Sequence, residues 1–191
     1  MNKENVLAII IALLIGLVGG YLVFSIGKKP AMVPGGGLPA GGGAPVDTQK
    51  RIEEAKKIIA QDPKNLKAWV MLGNDYFDTN QPQQAIAAYQ KALELDPSNA
   101  NILTDQGLMY RQIGWYDKAQ ANYEKAQKID PKHEQSLLNL GVLYLENLKQ
   151  PAKAIQVFSR YLELFPTSPN AQRVKATLDE HKANPPGINK K

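Results

Sequence analysis

LKAWVMLGNDYFDTNQPQQAIAAYQKALELDPSN, residues 66–99, is answered place by place in residues 100–133, ANILTDQGLMYRQIGWYDKAQANYEKAQKIDPKH. A third version follows at 134–168, EQSLLNLGVLYLENLKQPAKAIQVFSRYLELFPTS. The prolines at the ends of these stretches and of the one before them, Pro63, Pro97, Pro131 and Pro166, stand 34, 34 and 35 residues apart. Self-similarity at such a period is the mark of a stacked repeat architecture, in which each unit buries its apolar face against the next. Each proline ends a helix, because its ring cannot follow another helical turn. Gly73, Gly107 and Gly141 are matched by Ala85, Ala119 and Ala154. Small residues at both places predict two helices per unit that cross closely, glycine facing alanine. The large residues fill the gaps between units.

Read outward, the matching places form one pattern. Repeat one carries Trp69, Leu72, Gly73, Tyr76, Ala85, Tyr89, Ala92 and Pro97. Repeat two has Leu103, Gly107, Tyr110, Ala119, Tyr123, Ala126 and Pro131, and repeat three Leu137, Leu140, Gly141, Tyr144, Ala154, Phe158 and Pro166. At these places the chain resembles the tetratricopeptide-repeat (TPR) family. The resemblance implies an all-α fold, a right-handed solenoid of helix–turn–helix repeats at 66–99, 100–133 and 134–168. Gln106 stands where leucine is usual and Tyr161 where alanine is usual. One extra residue between Tyr144 and Ala154 predicts a longer third inter-helix turn. These departures predict looser packing in repeats two and three. Solenoid ends need caps. Residues 47–64 read as the second helix of a half repeat, and 169–183 as a capping helix. Ser168 is its expected N-cap, Pro169 lies in its first turn, and Ala171, Val174 and Leu178 form its apolar stripe. Residues 184–191, with Pro185, Pro186 and Gly187, are expected to be disordered.

The first 46 residues differ in kind. Val6 to Ile26 is 21 residues without a charge, and at about 1.5 Å per residue a helix of that length spans a bilayer core of about 30 Å. Residues 1–29 therefore read as a retained transmembrane anchor, since a cleaved signal peptide has a shorter apolar stretch and a more basic start. Lys3 flanks the stretch on one side and Lys28 and Lys29 on the other, and counting the terminal amine the balance is even, so orientation stays open. Ala8, Ala12, Gly16 and Gly20 recur every four residues on one helical face, a face suited to homodimerisation through close backbone approach. Small residues are also common in any membrane span. Residues 30–46 hold six glycines and four prolines from Pro30 to Val46 and read as a flexible linker that spaces the folded part from the membrane. No Gly-Lys-Ser/Thr follows its glycine runs, so it is not a phosphate-binding loop.

Composition excludes several chemistries. The chain of 191 residues has no cysteine, which removes disulfides, thiolate catalysis, Cys-ligated zinc, covalent haem attachment and a lipoprotein anchor. The formal net charge is +5, but both signs are interspersed along the helices, which does not make the clustered basic stripe of a nucleic-acid binder. No nucleic-acid partner is expected. The two histidines, His133 and His181, read as surface residues with no Ser–His–acid or metal-ligand spacing. Glu53 and Glu54 sit among Lys56 and Lys57 and read as a solvated helix face. The sequence thus offers no catalytic residue, no metal site and no cofactor, and the expected protein is not an enzyme.

In the TPR family the first helix of each repeat lines a concave groove that holds a peptide. By position, the resemblance implies a groove of Lys67, Val70, Asn74 and Phe77 from repeat one. Repeat two supplies Asn101, Thr104, Asp105, Leu108 and Arg111. Repeat three supplies Gln135, Leu138, Asn139, Val142 and Leu145. Such a lining suits a peptide held by side-chain amides and apolar pockets, although Val70, Leu108 and Val142 equally suit packing under the solenoid itself. Of the two-Lys/Arg, two-Asn clamp by which some TPR domains grip a carboxylate, only Asn74 is present. Trp115, in the second inter-helix turn, is either an anchor for a second partner or a lid on a neighbouring helix. The layout of anchor, spacer and three repeats resembles the TPR subunits of bacterial cytochrome c haem-attachment complexes. Those bind the C-terminal segment of the apocytochrome and present it to a partner enzyme. What this implies is a single-pass protein of the bacterial inner membrane with a periplasmic TPR domain, a scaffold for a protein or peptide client such as apocytochrome c or another envelope protein. The alternatives are a structural subunit of an envelope or secretion assembly and a general periplasmic holdase.

Overall fold

The computed structural model describes residues 47–183, and over that span the chain is helical, with no strand among the described residues. The eight helices are α1 Thr48–Gln61, α2 Leu66–Asp78, α3 Pro82–Leu95, α4 Ala100–Gln112, α5 Tyr116–Ile129, α6 Glu134–Val142, α7 Pro151–Leu164 and α8 Ala171–Ala183. Among the described residues no helix is long and apolar enough to cross a membrane. The candidate anchor 1–29 with its face of Ala8, Ala12, Gly16 and Gly20, the linker 30–46 and the tail 184–191 lie outside the described residues.

Each helix packs against the next in the chain, and beyond these neighbours α4 also meets α6. The Asp-Pro junctions set this register. In each, the aspartate carboxylate accepts from the backbone N–H two residues on: Asp62 from Lys64 (3.1 Å), Asp96 from Ser98 (3.3 Å) and Asp130 from Lys132 (2.9 Å). Such Asx turns reverse the chain locally. The next helix then starts on a capping side chain at the equivalent place, Asn65, Asn99 or His133, which accepts from the N–H three residues on. A cap of this kind satisfies one of the donors that a helix N-terminus leaves free.

Inside each repeat the close approach is not glycine to alanine as expected. A Cβ added at Gly73 would lie 2.5 Å from the ring of Tyr89, at Gly107 2.6 Å from Tyr123, and at Gly141 2.4 Å from Phe158. The glycine makes room for an aromatic ring four places beyond the alanine. Ala85, Ala119 and Ala154 are themselves almost fully buried.

The expected looseness of repeats two and three is absent. Gln106 is 2% exposed, and its amide is used on both sides. It donates to the Ile86 carbonyl (3.2 Å) and accepts from Asn122 (2.9 Å). Tyr161 is wholly buried, and its hydroxyl donates to Glu134 (2.5 Å) and meets the Ser168 hydroxyl at 2.6 Å. The extra residue of repeat three does not lengthen the turn either. A π-helical turn at Leu143–Asn147 absorbs it at the end of α6, with Leu148 N–H donating to the Leu143 carbonyl at 3.0 Å. The turn itself keeps one left-handed residue, Lys149, as its counterparts keep Asn80 and Gly114. Finally, α8 begins at Ala171, later than Ser168: the Ser168 hydroxyl meets Tyr161 instead of capping the helix, and the Asn170 carbonyl accepts from Val174 N–H at 2.9 Å.

Candidate binding groove

The expected groove residues all lie on α2, α4 and α6 or on the π-turn that extends α6, because the junction caps start these three helices at equivalent places. Side chains tie their successive ends together. His133 Nε2 lies 2.8 Å from Asn101 Oδ1 at the N-termini of α4 and α6. At the other end Arg111 donates to Asn147 (2.9 Å) and to Glu146 (3.0 Å). Gln112 donates to Asn80 in the turn after α2.

Along this strip the residues fall into three groups. Lys67, Asn74 and Asn101 are exposed. Val70, Phe77, Leu108, Val142 and Leu145 are half-buried and packed against the core, so each carries part of its apolar surface inward and part outward. Thr104, Leu138 and Asn139 are buried, at 2%, 3% and 4% exposure, which leaves them little surface to offer. Thr104 turns its hydroxyl to the Ala100 carbonyl (2.7 Å), and Leu138 belongs to the core of the last two repeats. Gln135 is half-buried and donates to Asn139 Oδ1 at 3.4 Å. Arg111 is held by its two acceptors on the π-turn.

Asp105 stands apart. It is partly buried, and burial pushes its carboxyl up to about 7. Its charge reaches the tyrosines on both neighbouring helices. Burial raises Tyr89 of α3 first, with Asp105, Asp78 and Asp75 adding to the effect. Burial also raises Tyr123 of α5, with Arg111 opposing and Asp105 reinforcing. The Tyr89 hydroxyl donates to Asn74 at 2.8 Å. Tyr123 sits over Gly107 as Tyr89 sits over Gly73, but Leu108 occupies the place of Asn74, and the buried Tyr123 hydroxyl has no hydrogen-bond partner among the described residues. The Asn139 Nδ2 is likewise buried without one.

Sequence reasoning missed Tyr89, Tyr123, Glu146, Asn147 and His133. A signal for the tyrosines was present: the partner pairs read Asn74 with Tyr89, Leu108 with Tyr123 and Val142 with Phe158, and only the middle one sets a hydroxyl against an apolar side chain. The π-turn that brings Glu146 and Asn147 to Arg111 had no signal beyond the extra residue. The two histidines are not plain surface residues. His133 is half-buried and caps α6, and His181 Nδ1 lies 2.9 Å from the Thr177 carbonyl. Trp115 is 50% exposed, yet it stacks on Tyr110 with centroids 5.9 Å apart and lies under Lys118 Nζ at 4.2 Å, the lid arrangement of the two expected.

Comparison with known proteins agrees with this architecture. Solved structures similar to the chain include the MamA protein, at 30% identity and a TM-score of 0.59, over 65% of this chain and 67% of that one. Pseudomonas aeruginosa pilF is similar at 25% identity and 0.63, over 71% of this chain and 62% of that one. The first TPR of Spaghetti (RPAP3), solved with an HSP90 peptide bound, shares the fold at 22% identity and 0.54, over 72% of this chain and 99% of that one. No curated protein matches. Residues 56–174 match the family model of the cytochrome c-type biogenesis protein H TPR domain. With three TPR units, their caps and this match over more than half its length, the chain belongs to the cytochrome c-type biogenesis protein H TPR-domain family.

Proposed function

We propose that the chain is a membrane-tethered adaptor for the assembly of c-type cytochromes, whose groove holds a peptide segment of an apocytochrome and presents it to a partner enzyme. The family match over residues 56–174 carries this reading. The strip on α2, α4 and α6 supports it, because the half-buried Val70, Leu108 and Val142 alternate with amides and leave apolar surface outward. That mixture suits an amphipathic segment laid along the helices. The uncharged stretch from Val6 to Ile26 supports attachment to the bacterial inner membrane, with the TPR domain on the periplasmic side. The role is binding alone and includes no catalytic step.

The test is fluorescence anisotropy of full-length protein in detergent. The probes are labelled peptides from the C-terminal segments of apocytochromes c and scrambled versions of the same peptides. Micromolar binding of the native peptides, at least tenfold tighter than the scrambled ones, is the expected result, about 1.4 kcal/mol of discrimination. Equal binding of the two sets removes apocytochrome as the client. Cross-linking in membranes to one stoichiometric neighbour, in place of cytochrome precursors, makes the protein a structural subunit instead.

A further inference from the structure

We infer that the groove contains a subsite centred on Asp105 that takes the lysine or arginine side chain of a bound peptide. The inference rests on the groove reading above and adds the chemistry of what the groove selects.

Buried polar atoms in folded proteins are almost always hydrogen-bonded. Among the described residues five such side-chain atoms are not, and two of them, Tyr123 Oη and Asn139 Nδ2, belong to residues of α5 and α6 that are 0% and 4% exposed. Asn139 already has its Oδ1 engaged by Gln135, so it is the donor end that is left over. Asp105 occupies the place in repeat two that Asn139 occupies in repeat three, and α4 packs directly on α6. No ion pair or hydrogen bond holds the Asp105 carboxylate among the described residues. The basic residue on its own helix, Arg111, is committed to Asn147 and Glu146.

The chemistry of the vacant groups names the ligand. A carboxylate accepts only, so the group that pairs with it has to donate. Lysine brings three donors and arginine five, each with the positive charge that makes a hydrogen bond to a carboxylate strong. An apolar or acidic side chain would leave the carboxylate unpaired in a partly buried place, an arrangement that costs free energy. The surrounding charge agrees. Tyr89 faces Asp105 from α3 and Tyr123 from α5, both held in their neutral forms by burial. Arg111 on α4 is paired with Glu146, and Asp75 of α2 with Arg51, so Asp78 and Asp105 leave the locality negative. Since burial holds Asp105 near neutral pH, a bound cation pulls it into its ionised form, and binding tightens as pH rises from 6 to 8.

The test selects binders from a random 12-residue peptide display library on full-length protein in detergent, in parallel on wild type and on D105N. Circular dichroism melts establish that D105N is folded. Wild-type binders are expected to share a lysine or arginine at a fixed register that the D105N binders lack. Replacing that lysine by methionine in one selected peptide is expected to weaken wild-type binding about tenfold and D105N binding less than twofold. The wild-type complex with the lysine peptide is expected to tighten about tenfold between pH 6 and pH 8, and the D105N complex not to change. Binders with no shared basic residue, or an equal loss on both proteins, overturn the subsite while the groove stands. A library that yields no binder overturns the groove and the subsite together.

Discussion

His133 and Asp105 titrate in opposite senses, and the two senses separate a structural use of a side chain from an uncompensated one. Ser136 N–H donates to His133 Nδ1 at 3.2 Å, so that nitrogen carries no proton and Nε2–H donates to Asn101 at 2.8 Å. A protonated ring cannot accept at Nδ1, and the cap of α6 is lost with it. Burial lowers the His133 pKa, with Asp130 opposing. The folded state therefore binds its proton less readily than the unfolded chain. The stabilisation is present above the unfolded value and is lost as pH falls through about 6.5 towards the lowered value. Asparagine caps the two equivalent helices at Asn65 and Asn99, so His133→Asn keeps an acceptor and removes the titration. Relative to wild type, H133N is expected to gain about 1 kcal/mol between pH 8 and pH 5 in thermal or urea melts; an unchanged difference across that range would mean the ring nitrogen is not the cap. Asp105 runs the other way. Its folded pKa of about 7 lies above the unfolded value, so its contribution is full at low pH and is lost as pH rises through 7. In the same melts D105N is expected to be more stable than wild type at pH 8 by roughly 1–2 kcal/mol and equal to it near pH 4. His133 was legible in principle, since it stands where two asparagines stand in the other junctions. Asp105 was placed in the groove by position alone, and its missing partner is a property of packing that no spacing reveals.

The turns inside the repeats show how much of an element the sequence can carry. Asn80, Gly114 and Lys149 occupy one place and share one backbone state, with φ of 56°, 81° and 54°. The residue after each closes back on the tyrosine of the preceding helix, from Gln81 to Tyr76 (2.8 Å), from Trp115 to Tyr110 (2.8 Å) and from Gln150 to Tyr144 (2.7 Å). This is a helix C-terminal cap, which needs a left-handed residue. Glycine takes that state freely, asparagine with little penalty and lysine with strain. Lys149→Gly is expected to stabilise the protein by about 0.5–1 kcal/mol, the strain relieved less the added entropy of the unfolded chain. Gly114→Ala, with open space around its new methyl group, is expected to cost about 1 kcal/mol through backbone alone. Urea melts of the two variants check both signs; a neutral Gly114→Ala would mean the turn relaxes into another conformation. The existence and order of the helices followed from the 34-residue period, because proline, glycine and apolar spacing act locally. The place of the one extra residue did not. A π-turn in α6 and a longer loop are equally compatible with that sequence, and the choice falls to the Tyr144–Gln150 closure and to Arg111, which finds both its acceptors on the widened turn.

A chain in which elements meet mainly their sequence neighbours has no single core to lose. Buried residues form separate clusters, one over Ile52, Ala55, Leu72 and Ala88, another over repeats one and two, and a third towards the C-terminal end. Stability in such a stack is a sum of unit and interface terms, and ends open before the middle. The first end is held by a small contact. Arg51 of α1 pairs with Asp75 of α2, whose side chain is 0% exposed while that of Arg51 is 36% exposed. Burial raises the Asp75 carboxyl, the guanidinium offsets part of this, and Asp75 Oδ2 has no further partner among the described residues. Removing the arginine leaves a carboxylate buried without its counter-charge, and the relief available to it is for α1 to lift and admit water. Arg51→Met is therefore expected to cost about 1–3 kcal/mol at the α1–α2 interface, less than a fully buried pair because Arg51 is partly solvated. The loss should be confined by the same stacking that defines the fold. Hydrogen exchange in α1 and the first turns of α2 should quicken roughly tenfold or more, while α6 to α8 keep their protection. Uniform quickening along the whole chain would show a cooperative unit in place of a stack, and an unchanged α1 would show that Ile52 and Ala55 hold the helix without the ion pair. Because Lys67, Val70, Asn74 and Phe77 of the groove lie on α2, peptide binding by the R51M variant is expected to weaken even though α4 and α6 keep their protection, so the N-terminal cap supports the groove from behind.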